Sequence, residues 1–461
     1  MFFSYRRFLA LATALLIASS PLRAQELEKI LPPLPKGPLL LTSATPEMQK
    51  ADFWINRLQD PDKLLKTDAQ VEVFNREIET FSNDRKDVFK IGNTISSKET
   101  KALIKNEYEA IAGRKLFDKN DKYIPKTFFT ETIKPNLRLD AIPDKIKVRW
   151  AAAVKHASVR VIPTDKGMLE EKGDVEFDMV QNTKFKTWTP MAVYHTTQDG
   201  EWAYAQGTYA RGWIKSRDIA IFETKEKLKS YVERKRDFLV VTGLDIPVFS
   251  NPGLTEVRAV AQMGTRLPLQ GETGNYFESL LPVRGQGGAV VLEKIFVSKA
   301  SDVSKGRLPY TQRNIIRQAF KLLGARYGWG SFYDGRDCSG FTFDVFMSMG
   351  LDMPRNSKEQ GVIGTFLNGF EPFKSEQQKI ATLAVAREGV TLIRMPSHIM
   401  LYLGQINGLH YVIHSTWAER YSMTDDSKNR INQTVVSDLT LNGKSRVGSL
   451  FHRIVSINEV N

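Results

Sequence analysis

The spacing of apolar positions changes character along the chain. From Pro46 to Tyr108 it is helical: Phe53, Trp54, Ile55 and Leu58 fall on one face, Asp60-Pro61-Asp62 breaks the run, and Val71, Val73, Phe74 and Ile78 resume the period. From about Lys145 it gives way to short alternating segments. Val148-Arg149-Trp150, Ala157 to Ile162, Thr189 to His195 and Trp202 to Ala205 read as strands, with turns at Asp165-Lys166-Gly167 and Gln198-Asp199-Gly200. A second β-rich segment, Phe238 to Val297, carries Val248-Phe249, Thr265 to Leu269 and Gly288 to Leu292. Helical spacing returns in Ile315, Ile316, Ala319, Phe320, Leu322 and Leu323, ending at Gly324, and again in Phe341, Phe343, Val345, Phe346 and Met349. Ile399 to Gly404 and Tyr411 to His414 predict two buried strands joined at Asn407-Gly408, and Ile380 to Val385 predicts a helix inside a long insertion, Phe366 to Val390. These patterns predict a multidomain α+β protein.

Length agrees, since 461 residues exceed a single core and suggest about three domains. Arg6 and Arg7, an apolar run from Phe8 to Ala18 and small residues ending at Ala24 read as a secretory signal peptide, residues 1–24, cleaved after Ala24 and too short to span a bilayer. No cysteine follows that run, which excludes a lipoprotein anchor. Leu31 to Pro38, rich in proline, predicts an extended linker able to lie along another domain. The net charge of +13 favours anionic partners, which for an exported chain are wall polymers, peptide carboxylates and membrane surfaces. Neither an aromatic-basic nucleic-acid motif nor zinc-finger spacing is present, so nucleic acid is not an expected partner.

The chain has one cysteine, Cys338, so it forms no internal disulfide. A lone cysteine is more often a packing residue, but the setting of this one points to a nucleophile. It follows a turn-rich loop (Gly328, Gly330, Asp334, Gly335) and opens an apolar helix, where unpaired N–H groups and the helix dipole favour the thiolate and can hold an oxyanion. Downstream, His398 and His414 fall on adjacent predicted strands, which suits a Cys nucleophile, a His base and a polar group orienting that base. His410 and His414 lie four apart on one strand, but no carboxylate or second cysteine has ligand spacing, so neither a metal nor a cofactor is expected. His156, His195, His410 and His452 read as structural groups. Arg355 has two readings, a bidentate partner for a substrate carboxylate or a structural ion-pair residue.

Tyr327-x-Trp329-Gly330, Asp337-Cys338-Ser339-Gly340-Phe341, Pro354-Arg355-x-Ser357-x-x-Gln360, His398 with Tyr402-Leu403-Gly404, and His414 together resemble the NlpC/P60 family of cell-wall cysteine peptidases. The resemblance implies a papain-like α+β catalytic domain with Cys338 as nucleophile, His398 as base and His414 as orienting residue. It also implies Tyr327 at the oxyanion site and Asp337 and Ser339 beside the substrate. Upstream, the strand pattern ending Gly212-Trp213-Ile214-Lys215 resembles a bacterial SH3-like domain, and Asp52 to Asn75 resembles the N-terminal stabilising region of some NlpC/P60 enzymes. The expected organisation is a mainly helical clamp at 25–140, SH3-like barrels at 145–222 and 235–300, and a catalytic domain at 305–461. The implied function is hydrolysis of peptidoglycan stem peptides or muropeptides at the γ-D-glutamyl-diaminopimelate amide, by a monomer in the periplasm or cell envelope. An N-acetylmuramoyl-L-alanine amidase, a cysteine acyltransferase and a non-catalytic wall-binding protein remain open alternatives.

Overall fold

A computed structural model describes residues 37–233 and 237–461. The signal-peptide reading and most of the proline-rich linker lie outside the described residues. Among the described residues no helix is long and apolar enough to cross a membrane.

The N-terminal segment is helical where the period predicted it. Ala51–Ile55 is followed by Asp68–Phe81, which opens with a capping box between Thr67 and Gln70, and by Ser97–Ala112, capped by Ser96. This segment embraces the C-terminal region. Leu41 packs in the core of the C-terminal sheet, Asn75 Nδ2 donates to Gly350 O at 2.9 Å, and Arg85 pairs with Asp352 at 2.6 Å.

Two seven-stranded antiparallel sheets follow. In the first the order is Gln181–Phe185, Ala157–Arg160, Arg211–Lys215, Trp202–Gly207, Pro190–Thr196, Arg149–Ala153, Ile219–Phe222. Two of these, Gln181–Phe185 and Ile219–Phe222, escaped the sequence reading. The second runs Val257–Gln262, Asp245–Phe249, Val290–Ser298, Tyr276–Arg284, Arg266–Glu272, Phe238–Val241, Val303–Lys305. The helix Lys225–Val232 connects the two sheets.

The C-terminal region is α+β. Its six-stranded antiparallel sheet runs Thr365–Gly369, Ser456–Glu459, Thr391–Met395, His398–Ile406, Leu409–Arg420, Lys428–Asp438. The helix Cys338–Met347 is buried on all sides except its end, and its Phe341, Val345 and Phe346 join one core with Ile399, Leu401 and Ile413 of the sheet. The turn between the two central strands has positive φ at both Asn407 (50°) and Gly408 (81°), the geometry that two-residue hairpins require.

The cores ignore the boundaries between these segments. One cluster unites Trp54 and Phe74 of the N-terminal helices, Phe185 and Met191 of the first sheet and Phe341 of the C-terminal helix. A second joins Trp150, Trp188 and Phe222 of the first sheet to Leu239, Val241 and Leu281 of the second. A third joins Ile104, Ile111 and Phe129 to Trp202, Tyr204 and Trp213. The first sheet is therefore the hub on which every other part is packed.

Candidate active site

Cys338 is the first residue of its helix and is 8% exposed. Asp337 is the N-cap, accepting from the Gly340 N–H at 2.7 Å and from the Gly330 N–H at 3.0 Å. The N–H groups of Cys338 and Ser339 lie in the first turn, where the helix offers no acceptor. The thiol rests 4.0 Å from the Ser397 carbonyl. Ser397 occupies the tight turn Pro396-Ser397 at φ 62°, and its strained position puts the start of the next strand, His398, beside the helix N-terminus.

His398 and His414 stand on adjacent strands whose register pairs Leu401 with Ile413. Their rings meet, with His398 Nε2 at 2.7 Å from His414 Nδ1. His414 Nε2 in turn lies 3.0 Å from Ser437 Oγ on the last strand. Sequence reasoning missed Ser437. The one available signal was a hydroxyl interrupting the apolar run Val435-Val436-Ser437. His410, the other histidine of that strand, bonds Tyr402 Oη at 2.9 Å, a structural role.

The electrostatics correct one expectation. A helix N-terminus was expected to favour the thiolate, but burial pushes the Cys338 thiol up to about 12, and the Asp337 charge adds to that. The N–H groups of Ile399 and Ser339 and the Arg355 charge pull the other way without prevailing. Burial likewise lowers His398 to about 4, with Arg453 acting in the same sense, and holds His414 well below its ordinary value with the help of His398. The resting pair is a neutral thiol and a neutral imidazole. Tyr327 is buried, and burial together with the charges of Cys338 and Asp337 raises its hydroxyl well above the usual value, so it is a hydrogen-bond donor at any physiological pH. Its backbone is fixed by donation to Asn432 O at 3.0 Å.

Asp337, Ser339 and Arg355 are spent on one another. Arg355 grips Asp337 with Nη1 at 3.0 Å and Nη2 at 2.8 Å, and reaches Thr183 Oγ1 at 2.8 Å and Ser339 Oγ at 3.0 Å. Ser339 Oγ also donates to Asp337 at 3.2 Å. Burial alone would raise the Asp337 carboxyl, but Arg355 holds it below the usual range. Of the two readings of Arg355, this geometry favours the structural one, and it leaves Asp337 and Ser339 turned toward Arg355 and the helix N-terminus.

The loop before Cys338 is held from outside. Gly330, Ser331, Tyr333 and Asp334 all have positive φ, at 54°, 63°, 53° and 56°. For the three non-glycine residues this costs on the order of 1 kcal/mol each. The first sheet supplies Gln181, donating to Gly330 O at 3.0 Å, and Lys184 and His156, which meet Asp334 at 2.6 and 3.3 Å. The second supplies Gln262, donating to Asp334 O at 3.0 Å. Asp334, although half exposed, is kept far below the usual carboxylate range by His156 and Lys184. His156 and His195, the latter 2.8 Å from Leu137 O, both have structural partners.

An aromatic cluster beside Tyr327 comes from the loop between Ala157–Arg160 and Gln181–Phe185. Phe177 packs against Tyr327 (6.1 Å between ring centroids), Trp329 (5.4 Å) and Trp417 (5.1 Å). Beside it Glu176, fully buried, pairs with Arg326 at 2.8 Å. Among the described residues no cluster of His, Cys, Asp and Glu could hold a metal ion.

Residues 324–437, which carry Cys338, His398 and His414, match the NlpC/P60 family. Those residues form an NlpC/P60 domain. Residues 168–215, within the first sheet, match the SH3 domain of SH3b1 type. Two curated relatives are γ-D-glutamyl-L-lysine dipeptidyl-peptidases. The one from Bacillus cereus is 28% identical over 185 residues, 40% of this chain and 51% of that protein. The one from Bacillus subtilis is 30% identical over 101 residues, 22% of this chain and 31% of that protein. The chain thus spans about half or less of the length of the curated relatives it matches. The fold is shared more widely. A solved NlpC/P60 endopeptidase from Photobacterium damselae subsp. piscicida superposes with a TM-score of 0.70 at 19% identity, covering 93% of this chain and 98% of that one. The NlpC/P60 domain and its upstream sheets therefore form one arrangement that recurs in a solved protein.

Proposed function

We propose that this protein is a cysteine peptidase that cleaves peptidoglycan stem peptides at the γ-D-glutamyl-diaminopimelate amide, acting as an exported monomer in the periplasm or envelope. The observation that carries the reading is Cys338 at a helix N-terminus, its sulfur 4.0 Å from the carbonyl of Ser397, the residue before His398, with His398 paired to His414. The names of the two Bacillus relatives support the γ-D-glutamyl bond.

In this reading His398 takes the Cys338 proton as the sulfur attacks the amide carbonyl. The oxyanion receives hydrogen bonds from the Cys338 backbone N–H and the Tyr327 hydroxyl. His398 then protonates the leaving amine, whose departure leaves a thioester on Cys338. Water, deprotonated by His398, attacks the thioester and releases the γ-glutamyl carboxylate while the proton returns to sulfur. Because the resting pair is neutral, proton transfer accompanies attack and the thiolate is not stored beforehand.

The test is incubation of the purified protein and its Cys338→Ala variant with muropeptides, with products identified by mass. Release of a peptide beginning at the diamino acid, abolished in the variant, is expected. Identical products from both proteins would sink the reading, and a lactyl-sugar fragment would indicate an amidase instead.

A further inference from the structure

His398 has one nitrogen committed and one left over. Its Nε2 lies 2.7 Å from His414 Nδ1, so Nδ1 is the nitrogen left over, the one that would serve the thiol in the peptidase reading. Between two neutral imidazoles joined nitrogen to nitrogen there is room for a single hydrogen. If His398 owns it, His398 Nδ1 is a bare lone pair and can take the Cys338 proton. If His414 owns it, His398 must carry its hydrogen on Nδ1 and cannot act as a base. The ring that owns this hydrogen decides whether the dyad works.

Whether His398 can own it depends on what the far side of His414 offers. A neutral His414 with Nδ1 bare carries its hydrogen on Nε2, and a buried N–H without an acceptor is costly. Ser437 Oγ is 3.0 Å from Nε2, and His414 and Ser437 are both fully buried. The strand register pairs His414 with Val435, which cannot accept, and places Ser437 on the diagonal, two residues along. We propose that Ser437 is a positioning residue: by accepting from the His414 Nε2–H it satisfies the tautomer in which His414 accepts from His398, and so lets His398 Nδ1 stay bare as the base for Cys338. The same arrangement serves the charged state. When His398 holds two hydrogens, one faces the sulfur and the other still points into His414. A second proton on His414 is opposed by its burial and by the charge of His398. The positive charge stays on the ring that must return its proton to the leaving amine.

The kinetic part of this inference rests on the peptidase reading, and a second readout does not. Thr and Val have nearly the same shape and differ by a hydroxyl, so Ser437→Thr and Ser437→Val form a matched pair. With muropeptides, the Thr variant is expected to keep its turnover, and the Val variant to lose about tenfold or more in kcat with KM within about twofold. Cys338 is the one cysteine in the sequence, so alkylation by iodoacetamide reports it alone. Val is expected to slow alkylation at pH 7 by a similar factor, while Thr does not. Equal behaviour of the two variants in both readouts overturns the proposal, as does a Val variant that loses only thermal stability. Should the Val variant not fold, Ser437→Ala against Ser437→Thr makes the same comparison. Should the parent hydrolyse no muropeptide, the peptidase reading fails and the alkylation arm still decides the role of Ser437.

Discussion

Asp337 lowers one cost and raises another. It caps the nucleophile helix, ties down Gly330 and satisfies Arg355, yet its charge stands next to Cys338 and makes the thiolate harder to form. Catalysis then depends on groups that act only as charge develops. Tyr327 is such a group, because its hydroxyl is close to the sulfur electrostatically and stays protonated. Tyr327→Phe is expected to lower kcat by roughly 10²-fold with little change in KM, measured on muropeptides. The histidines have a cost in acid. His398 titrates at about 4 in the folded protein and near 6.5 when unfolded, so the unfolded chain binds more protons between those values. Stability is whole above pH 6.5 and is lost as pH falls toward 4, on the order of 3 kcal/mol from this residue. Denaturant midpoints measured from pH 8 to pH 4 should show that limb, and His398→Gln should make it shallower.

The elements that were legible in the sequence are those whose pattern is local. The amphipathic run Ile315 to Leu323 is the helix Gln312–Lys321 with Thr311 as its cap, and the Asn407-Gly408 turn is where a two-residue hairpin demands it. Cys338 at a helix start and the two histidines on neighbouring strands were readable for the same reason. Elements fixed by distant partners were not. Gln181–Phe185 carries Gln, Asn, Thr and Lys, and it is a strand because it pairs with Ala157–Arg160 and bonds the nucleophile loop. Arg355 could not be assigned from sequence because its partners Thr183 and Asp337 lie 172 and 18 positions away. The thiol pKa was misjudged since the dipole of a helix is visible in a sequence and the depth of its burial is not. Gly330 tests how tightly the nucleophile loop is held. A Cβ there would sit 2.9 Å from the carbonyl oxygens of both Gln181 and Asn182, at φ 54°. Gly330→Ala is expected to cost about 1–3 kcal/mol in chemical denaturation and to lower turnover by displacing the loop.

At the scale of the whole molecule the SH3-like and catalytic regions behave as one body, since Phe185, Tyr209 and Phe343 share a core and Tyr209 meets Phe343 at 4.9 Å. Their junction also buries charge. Asp245, at the start of a strand in the second sheet, has one carboxyl oxygen without a partner, and burial holds its pKa up at about 6 in spite of Arg336 and Lys186. A folded pKa above the unfolded value near 3.9 means that ionisation at neutral pH works against folding. Asp245→Asn should therefore stabilise the protein at pH 7.5 by about 2 kcal/mol, and the gain should vanish near pH 4. Thermal melts of both proteins at the two pH values check the sign.

The left-handed course of the nucleophile loop is kept by Gln181, Lys184 and Gln262, none of which belongs to the NlpC/P60 domain. A recombination event that joined this catalytic segment to foreign upstream modules would carry the cysteine and both histidines into the new gene and leave behind the groups that hold the loop before the cysteine.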